Sequence, residues 1–311
     1  MREENITSWR EFLLVGLLRQ WSPTLFLWGL LFMFLVALMG NSLLIFLIKT
    51  DSGLQTPMYF FLSQMAFMDI CQVLSIVPQV LVSFLTKRYT ISLYGCVVQI
   101  SVILVLAGAE CLILATMSYD RYVAICKPFQ YPILMRRNVC YMMSMAAWFW
   151  SIVQTLTCSF YVLPLPYCKS NVINHYICDY PALIQLLCSD NSAFEQTIYV
   201  GNFLVLLIPI SVILTSYVAI LLQVVRLRSS QRSHKALGTC MSHLCVVGIF
   251  YVTALATYMK PASSYSPQEA MVNTLFFTTV PAMTNPFIYS LRNRDVLEAL
   301  RKTFGKHSLH Q

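Results

Sequence analysis

The sequence predicts an all-α membrane protein: a seven-transmembrane-helix bundle with a short amphipathic inner-face helix after span seven. Three observations predict it. The 311 residues are 58% hydrophobic and only 11% charged, and mean hydropathy is +0.65. The apolar residues gather into seven runs, near 25–48, 57–85, 94–119, 139–163, 197–225, 238–259 and 270–291. Each reaches the roughly twenty residues a helix needs to cross about 30 Å of hydrocarbon. The basic residues then divide unevenly. With the N-terminus outside, the inner loops and tail hold a series running from Lys49 and Arg121 through Arg226 and Lys235 to Arg301 and Lys306. The short outer loops hold only Lys87, Arg88, Lys169 and Lys260. That asymmetry places the N-terminus outside and the C-terminus inside. The net charge of +8 therefore reports topology rather than a polyanionic partner, and nucleic acid is excluded as a ligand.

The chain divides into an extracellular N-terminus (1–24), a seven-span transmembrane domain (25–291) and a cytoplasmic amphipathic helix and tail (292–311). The first twenty residues are polar and mixed in charge, and the first apolar run is too long for a signal-peptide core, so it reads as a signal anchor. Asn5-Ile6-Thr7 is a glycosylation sequon on the side that the charges make external.

In span one, Gly40-Asn41 puts an amide near mid-membrane, where a small residue and an interhelical hydrogen bond serve packing. Span two opens on Pro57, a suitable first-turn residue. Asp69 sits halfway along it and Glu110 deep in span three, the only carboxylates well inside the spans. One buried acid reads as a protonated core residue. Two point to a shared proton or a bound cation, with an allosteric sodium ion as the candidate, because like charges in low dielectric oppose one another. Ile103, Glu110 and Arg121 are 7 and 11 residues apart, close to two and three turns, and so share one stripe of one helix. Ile103 and Arg121 are then about 27 Å apart.

Pro209, Pro281 and Pro286 fall inside spans five and seven as candidate hinges. Beyond span seven, Val296, Leu297, Leu300 and Phe304 form the apolar side of a segment over Arg292–Phe304, suited to the inner membrane face. No cysteine follows Cys245, which excludes palmitoylation of the tail. Of eleven cysteines, Cys71, Cys111, Cys140, Cys240 and Cys245 read as packing residues. Cys96, Cys168, Cys178 and Cys188 face outward and allow two disulfides in any of three connectivities. No pair has CxxC spacing, so no metal site is expected. His175 and Asp179, in the long outer loop 164–194, read as solvated loop polars.

The end of span three, Met117–Cys126, reads M-S-Y-D-R-Y-V-A-I-C. It closely resembles the M-A-Y-D-R-Y-V-A-I-C signature of odorant receptors, which are rhodopsin-like, G-protein-coupled receptors. The resemblance runs from about residue 20 to 305. Gly40-Asn41 matches, as do Leu54–Leu62 (with Gln55 in place of histidine), Ser216-Tyr217, Lys235–His243 (with Gly238 in place of serine) and Pro281–Asn293 (with an altered lead-in). The resemblance implies the bridges Cys96–Cys178 and Cys168–Cys188. It implies an outer ligand pocket lined by Ile103, Leu104, Ala107 and Gly108 of span three and by Gly201, Asn202 and Val205 of span five. Tyr251, Ala254, Leu255 and Tyr258 of span six and Leu275 and Thr278 of span seven complete it. Those residues are apolar with a few hydrogen-bonding tips, which suits a small, volatile, mostly neutral molecule. Amine-sensing relatives carry aspartate where Ile103 stands.

It further implies a coupling and switch set of Asp120, Arg121, Tyr122, Tyr217, Lys235, Asn285, Pro286 and Tyr289. Span six would swing outward and Arg121 leave Asp120 to meet a stimulatory olfactory G protein, raising cyclic AMP. The membrane of olfactory cilia is the implied location. The alternative is a receptor of the same fold acting outside olfactory tissue or without signalling competence, left open by Gln55 and Gly238 on the coupling side. Enzymatic activity is not expected: Asp69 and Glu110 lack the Y-D and G-x-G-D settings of intramembrane aspartyl proteases. No internal repeat or polar-lined route suggests a transporter or channel.

Overall fold

The computed structural model describes residues 9–16, 22–188, 192–226, 230–259, 266–291 and 293–305. Asn5 lies outside them, as do the side chains of Asn202 and Lys235. From the N-terminus the elements are β1 (Glu11–Leu14), α1 (Pro23–Thr50), α2 (Pro57–Thr86), β2 (Thr90–Ser92) and α3 (Leu93–Cys126). There follow α4 (Tyr131–Leu134), α5 (Arg137–Val162), β3 (Val172–Ile173), α6 (Tyr180–Ile184), α7 (Ser192–Arg226), α8 (Ser230–Tyr258), α9 (Pro267–Leu291) and α10 (Arg294–Gly305).

Among the described residues, six helices are apolar and long enough to cross a membrane: α1, α2, α3, α5, and the stretches Phe203–Arg226 and Cys240–Tyr258 of α7 and α8. The seventh, α9, is 25 residues long, about 37 Å. It is less apolar because it turns Thr274, Thr278, Thr279 and Asn285 into the bundle. Large apolar side chains such as Phe32, Phe149, Trp150 and Phe160 are exposed on the outer surface, where lipid rather than water is their solvent. The 34 residues of α3 span about 51 Å. It is longer than the roughly 30 Å of hydrocarbon it would cross. Around it pack α2, α5, α7 and α8, and α1 closes against α2 and α9.

Pro57 stands in the first turn of α2, and Ser92 caps α3 by accepting from the Gly95 amide at 3.1 Å. Prolines interrupt α7 at Pro209 and α9 at Pro281 and Pro286; α2 carries a further one, Pro78. The ring of Pro286 lies where a Cβ on Gly40 would be, so glycine lets α1 and α9 approach.

The outer end is closed by a three-stranded sheet in the order β2-β1-β3, with β1 antiparallel to β2 and parallel to β3. Cys96–Cys178 fastens the loop to α3 and Cys168–Cys188 closes the loop on itself. Phe12, Leu14, Tyr167, Tyr180 and Leu187 form a buried cluster with the first bridge. At the inner end α10 buries Val296 and Ala299. It is held by a Lys302–Asp51 ion pair at 3.8 Å. Tyr59 receives a hydrogen bond from Asn293 (2.7 Å) and donates one to Asp295 (3.2 Å).

Candidate functional site

Gly108 governs the outer site. A Cβ there would collide with Ser151 Oγ; its absence lets α3 and α5 close until Ser151 donates to the Val105 carbonyl at 2.7 Å. Just beside this contact the helices diverge around a cavity of about 60 Å³, the share of about two liquid waters. Leu104, Ala107 and Gly108 line it from α3, Val205 from α7, and Ala254 and Tyr258 from α8.

Other residues anticipated for the lining stand elsewhere. Ile103, one position before Leu104, is turned by the helical phase into the α1–α2–α9 side, among Val77, Ile177 and Met271. Leu275 packs on that same cluster. Leu255 is 37% exposed, turned about 100° from Ala254 toward lipid. Tyr251 is buried edge-on to Phe250 with ring centroids 5.5 Å apart. Thr278 is buried and donates to the Thr274 carbonyl at 2.7 Å. Gly201 stands behind Gln154, whose amide donates to its carbonyl at 3.5 Å.

The remainder of the wall comes from residues that the sequence reading passed over: Cys111, Leu206, Phe250, Phe277, the lid residue Tyr180 and, above all, Ser151, Gln154, Thr155 and Cys158 of α5. A signal for α5 was present. Ser144, Ala147, Ser151, Thr155, Ser159 and Val162 are all buried, and their three- and four-residue spacing marks a stripe of small and hydroxyl side chains facing inward.

Below the cavity lies a polar layer. Asn285 donates to both oxygens of Asp69, at 3.3 and 3.1 Å. Asn41 donates to Ala37 (2.9 Å) and Ala282 (2.8 Å) carbonyls. Ala282 is four residues before Pro286, which has no N–H to return, so the Asn41 amide satisfies a carbonyl the proline orphans. Glu110 has one carboxyl oxygen buried without a partner, and the charges of Glu110 and Asp69 are close enough to act on one another. Free carboxylate lone pairs on facing helices fit a hard monovalent cation or a proton.

At the inner end, Asp120 is buried and accepts from the Tyr131 hydroxyl of α4 at 2.8 Å. The expected Asp120–Arg121 pairing is corrected here: the described residues show no ion pair between them, and Arg121 Nε is buried without a partner. Adjacent helical residues diverge by about 100°, so the carboxylate reaches the inner loop while the guanidinium enters the bundle. Tyr217 of α7 hydrogen-bonds His243 Nδ1 of α8 at 2.7 Å, tying the two helices. Tyr289 is buried, and its hydroxyl has no hydrogen-bond partner among the described residues; Tyr122 packs beside Ile220, Val224 and Cys240. Gln55 donates to the Ile48 carbonyl at 2.7 Å and secures the α1–α2 turn.

The lid brings a second correction. His175 and Asp179 are 0% and 6% exposed, not solvated. His175 stacks on Tyr176 with centroids 4.7 Å apart and accepts from the Ile177 amide at 3.2 Å. Asp179 caps α6 by accepting from the Tyr180 amide at 2.9 Å. Burial pushes His175 down to about 4 and Asp179 up to about 7.

With this geometry in place, comparison with known proteins is informative. The olfactory receptor family profile matches residues 30–307. Mouse (Mus musculus) olfactory receptor 2V1 is 44% identical over 299 residues, covering 96% of this chain and 95% of its own. Human (Homo sapiens) olfactory receptor 2T1 is 42% identical over 309 residues, covering 98% and 83%. The crystal structure of squid rhodopsin superposes with a TM-score of 0.70 at 21% identity, covering 88% of this chain and 78% of that one, a likeness of fold.

Proposed function

Since the chain belongs to the olfactory receptor family of seven-helix, multi-pass membrane receptors, which are not enzymes, we propose that it is a ligand-gated odorant receptor. A small, mostly apolar volatile molecule enters the cavity between α3, α5, α7 and α8. A stimulatory heterotrimeric G protein is engaged at the inner face, and cyclic AMP rises. The N-terminus is extracellular, the C-terminus cytoplasmic, and the working membrane that of olfactory cilia.

One observation carries the reading: a single helix, α3, lines the cavity with Leu104, Ala107 and Gly108, bears Glu110 midway, and carries Arg121 near its inner end. Ligand shifts a pre-existing equilibrium by no more than its differential affinity for the two arrangements. The event at the inner end is a change in the Tyr217–His243 tie as α8 moves away from α7. That movement opens room for the G protein, and Arg121, Tyr217 and Tyr289 line it. Asp120 stays on Tyr131, so the inner loop moves with α3. Asp69 and Glu110 would hold a sodium ion or share a proton, adding a charge whose presence differs between the two arrangements.

The test is cyclic AMP in cells displaying the receptor, challenged with a panel of small volatile odorants. Arg121→Ala and Gly108→Trp are compared at equal surface expression. A dose-dependent rise lost in both variants supports the reading; an undiminished response in Arg121→Ala removes that residue from coupling.

A further inference from the structure

We infer that the cavity selects small neutral molecules bearing one oxygen function, an alcohol or a carbonyl, and that Thr155 and Gln154 of α5 are the residues that read that oxygen. The inference rests on the ligand-binding part of the receptor reading.

Most of the wall is apolar: Leu104, Ala107, Val205, Leu206, Phe250 and Phe277 offer nothing but dispersion. Among the described residues, no lining side chain carries a formal charge. A carboxylate or ammonium ligand would therefore be desolvated without compensation, at a cost that ordinarily excludes it. The polar groups differ in whether their hydrogen bonds are already committed. Ser151 spends its proton on the Val105 carbonyl at 2.7 Å. Gln154 makes one long bond through its amide nitrogen, 3.5 Å to Gly201, and its carbonyl oxygen is uncommitted among the described residues.

Thr155 is the telling case. Several helical threonines of this chain return their hydroxyl proton to the carbonyl four residues back, as Thr157 does to Val153 at 2.9 Å, Thr253 to Ile249 at 2.8 Å and Thr278 to Thr274 at 2.7 Å; Thr274, away from the cavity, does not. Thr155 is only 5% exposed, yet its hydroxyl makes no such bond among the described residues, and the residue lines the cavity. A ligand that covers the Thr155 hydroxyl and the Gln154 amide oxygen without bonding them leaves two polar groups unpaired, which is costly. Water can satisfy them in the empty cavity, and a ligand that displaces this water must reproduce its hydrogen bonds or lose affinity. An alcohol can donate to Gln154 and accept from Thr155; an aldehyde or ketone can accept from Thr155. A hydrocarbon can do neither. At about 60 Å³, the share of about two liquid waters, the cavity takes the oxygen end of a small molecule, and a five-carbon chain requires its walls to move.

The experiment uses the full-length receptor at the cell surface and a five-carbon series: 1-pentanol, pentanal, 2-pentanone, pentane, pentylamine and pentanoic acid. Two readouts run in parallel. One is the cyclic AMP dose response. The other is protection of Cys158, a free cysteine in the wall, from a methanethiosulfonate reagent added outside, with Cys158→Ser as the blank. The variants are Thr155→Val, Thr155→Ser and Gln154→Leu. The alcohol and carbonyls are expected to act best. Thr155→Val should raise their half-effective concentration about tenfold or more, Thr155→Ser should restore it, and protection should follow the same order. Gln154→Leu should weaken the alcohol more than the ketone. Equal potency in wild type and Thr155→Val, or pentane, amine or acid ranking first, overturns the inference and leaves the receptor reading standing. Protection that depends on Thr155 without any cyclic AMP upholds the inference and overturns the proposed signalling. Neither protection nor response from any member overturns the inference.

Discussion

The amide of Asn41 donates to the Ala282 carbonyl because Pro286, four residues on, has no N–H to offer it. Asn41→Ala should leave that carbonyl unpaired in a medium without water, a loss of about 1–3 kcal/mol, read as a lower melting temperature of the solubilised receptor. This device was legible in the sequence, since Gly40-Asn41 and Asn285-Pro286 announce a small residue, an amide and a broken helix. His175 and Asp179 were not, because nothing local says that a loop histidine lies under an N-terminal strand. Their burial has a pH signature. The folded lid keeps the Asp179 proton up to about 7, where the unfolded chain has released it near the model-peptide value of about 3.9, so this residue lowers stability as pH rises through that window. It keeps His175 neutral down to about 4, where the unfolded chain is charged below about 6.5, so this one raises stability as pH climbs from about 4 to 6.5. In the wild type the two slopes oppose each other. Melting measured from pH 4.5 to 8 should therefore rise with pH in Asp179→Asn and fall with pH in His175→Gln. Slopes of the same sign in the two variants would contradict the assignment.

Strand β1 shows what an element of four residues can hold. It is the middle strand of the lid sheet, so β2 and β3 meet only through it. Trp9, Leu13, Val15 and Gly16 each donate a backbone hydrogen bond to the loop, at 2.7 to 3.2 Å. Phe12 is fully buried edge-on to Tyr167, with ring centroids 5.5 Å apart, in the cluster that also contains the cavity residue Tyr180. Phe12→Ala should cost about 3–5 kcal/mol locally. Its readout is faster amide hydrogen exchange over 90–92 and 172–173, with the transmembrane helices unchanged; uniform protection would show that the sheet does not depend on this ring. The strand was illegible beforehand because its partners lie about 80 and 160 residues away, and E-F-L-L is too short to display a period. The helices were legible because length and hydropathy in lipid leave few other solutions. Their rotation was harder to read. Taking neighbouring positions such as Ala254 and Leu255 together as lining ignores the 100° between them, whereas the hydroxyl stripe on α5 was readable at its own period.

At the scale of the molecule, α3 makes one rod of cavity and inner face, so occupancy and signalling can be separated by cutting it at either end. Gly108 and Arg121 are 13 residues apart, about 20 Å along the helix, far enough for their substitutions to act independently. Gly108→Trp fills the cavity against Ser151 and should abolish ligand protection of Cys158 as well as cyclic AMP. Arg121→Ala removes a guanidinium at the inner end and should abolish cyclic AMP. Its ligand protection, measured in membranes stripped of G protein, should stay within about threefold of wild type. The stripping is essential, because coupling is reciprocal and a bound G protein would itself tighten the ligand. If Arg121→Ala lost protection to the same degree as Gly108→Trp even without G protein, the inner end would be setting the shape of the outer cavity. The two-ended description of α3 would then give way to one in which the cavity exists only in the coupled arrangement.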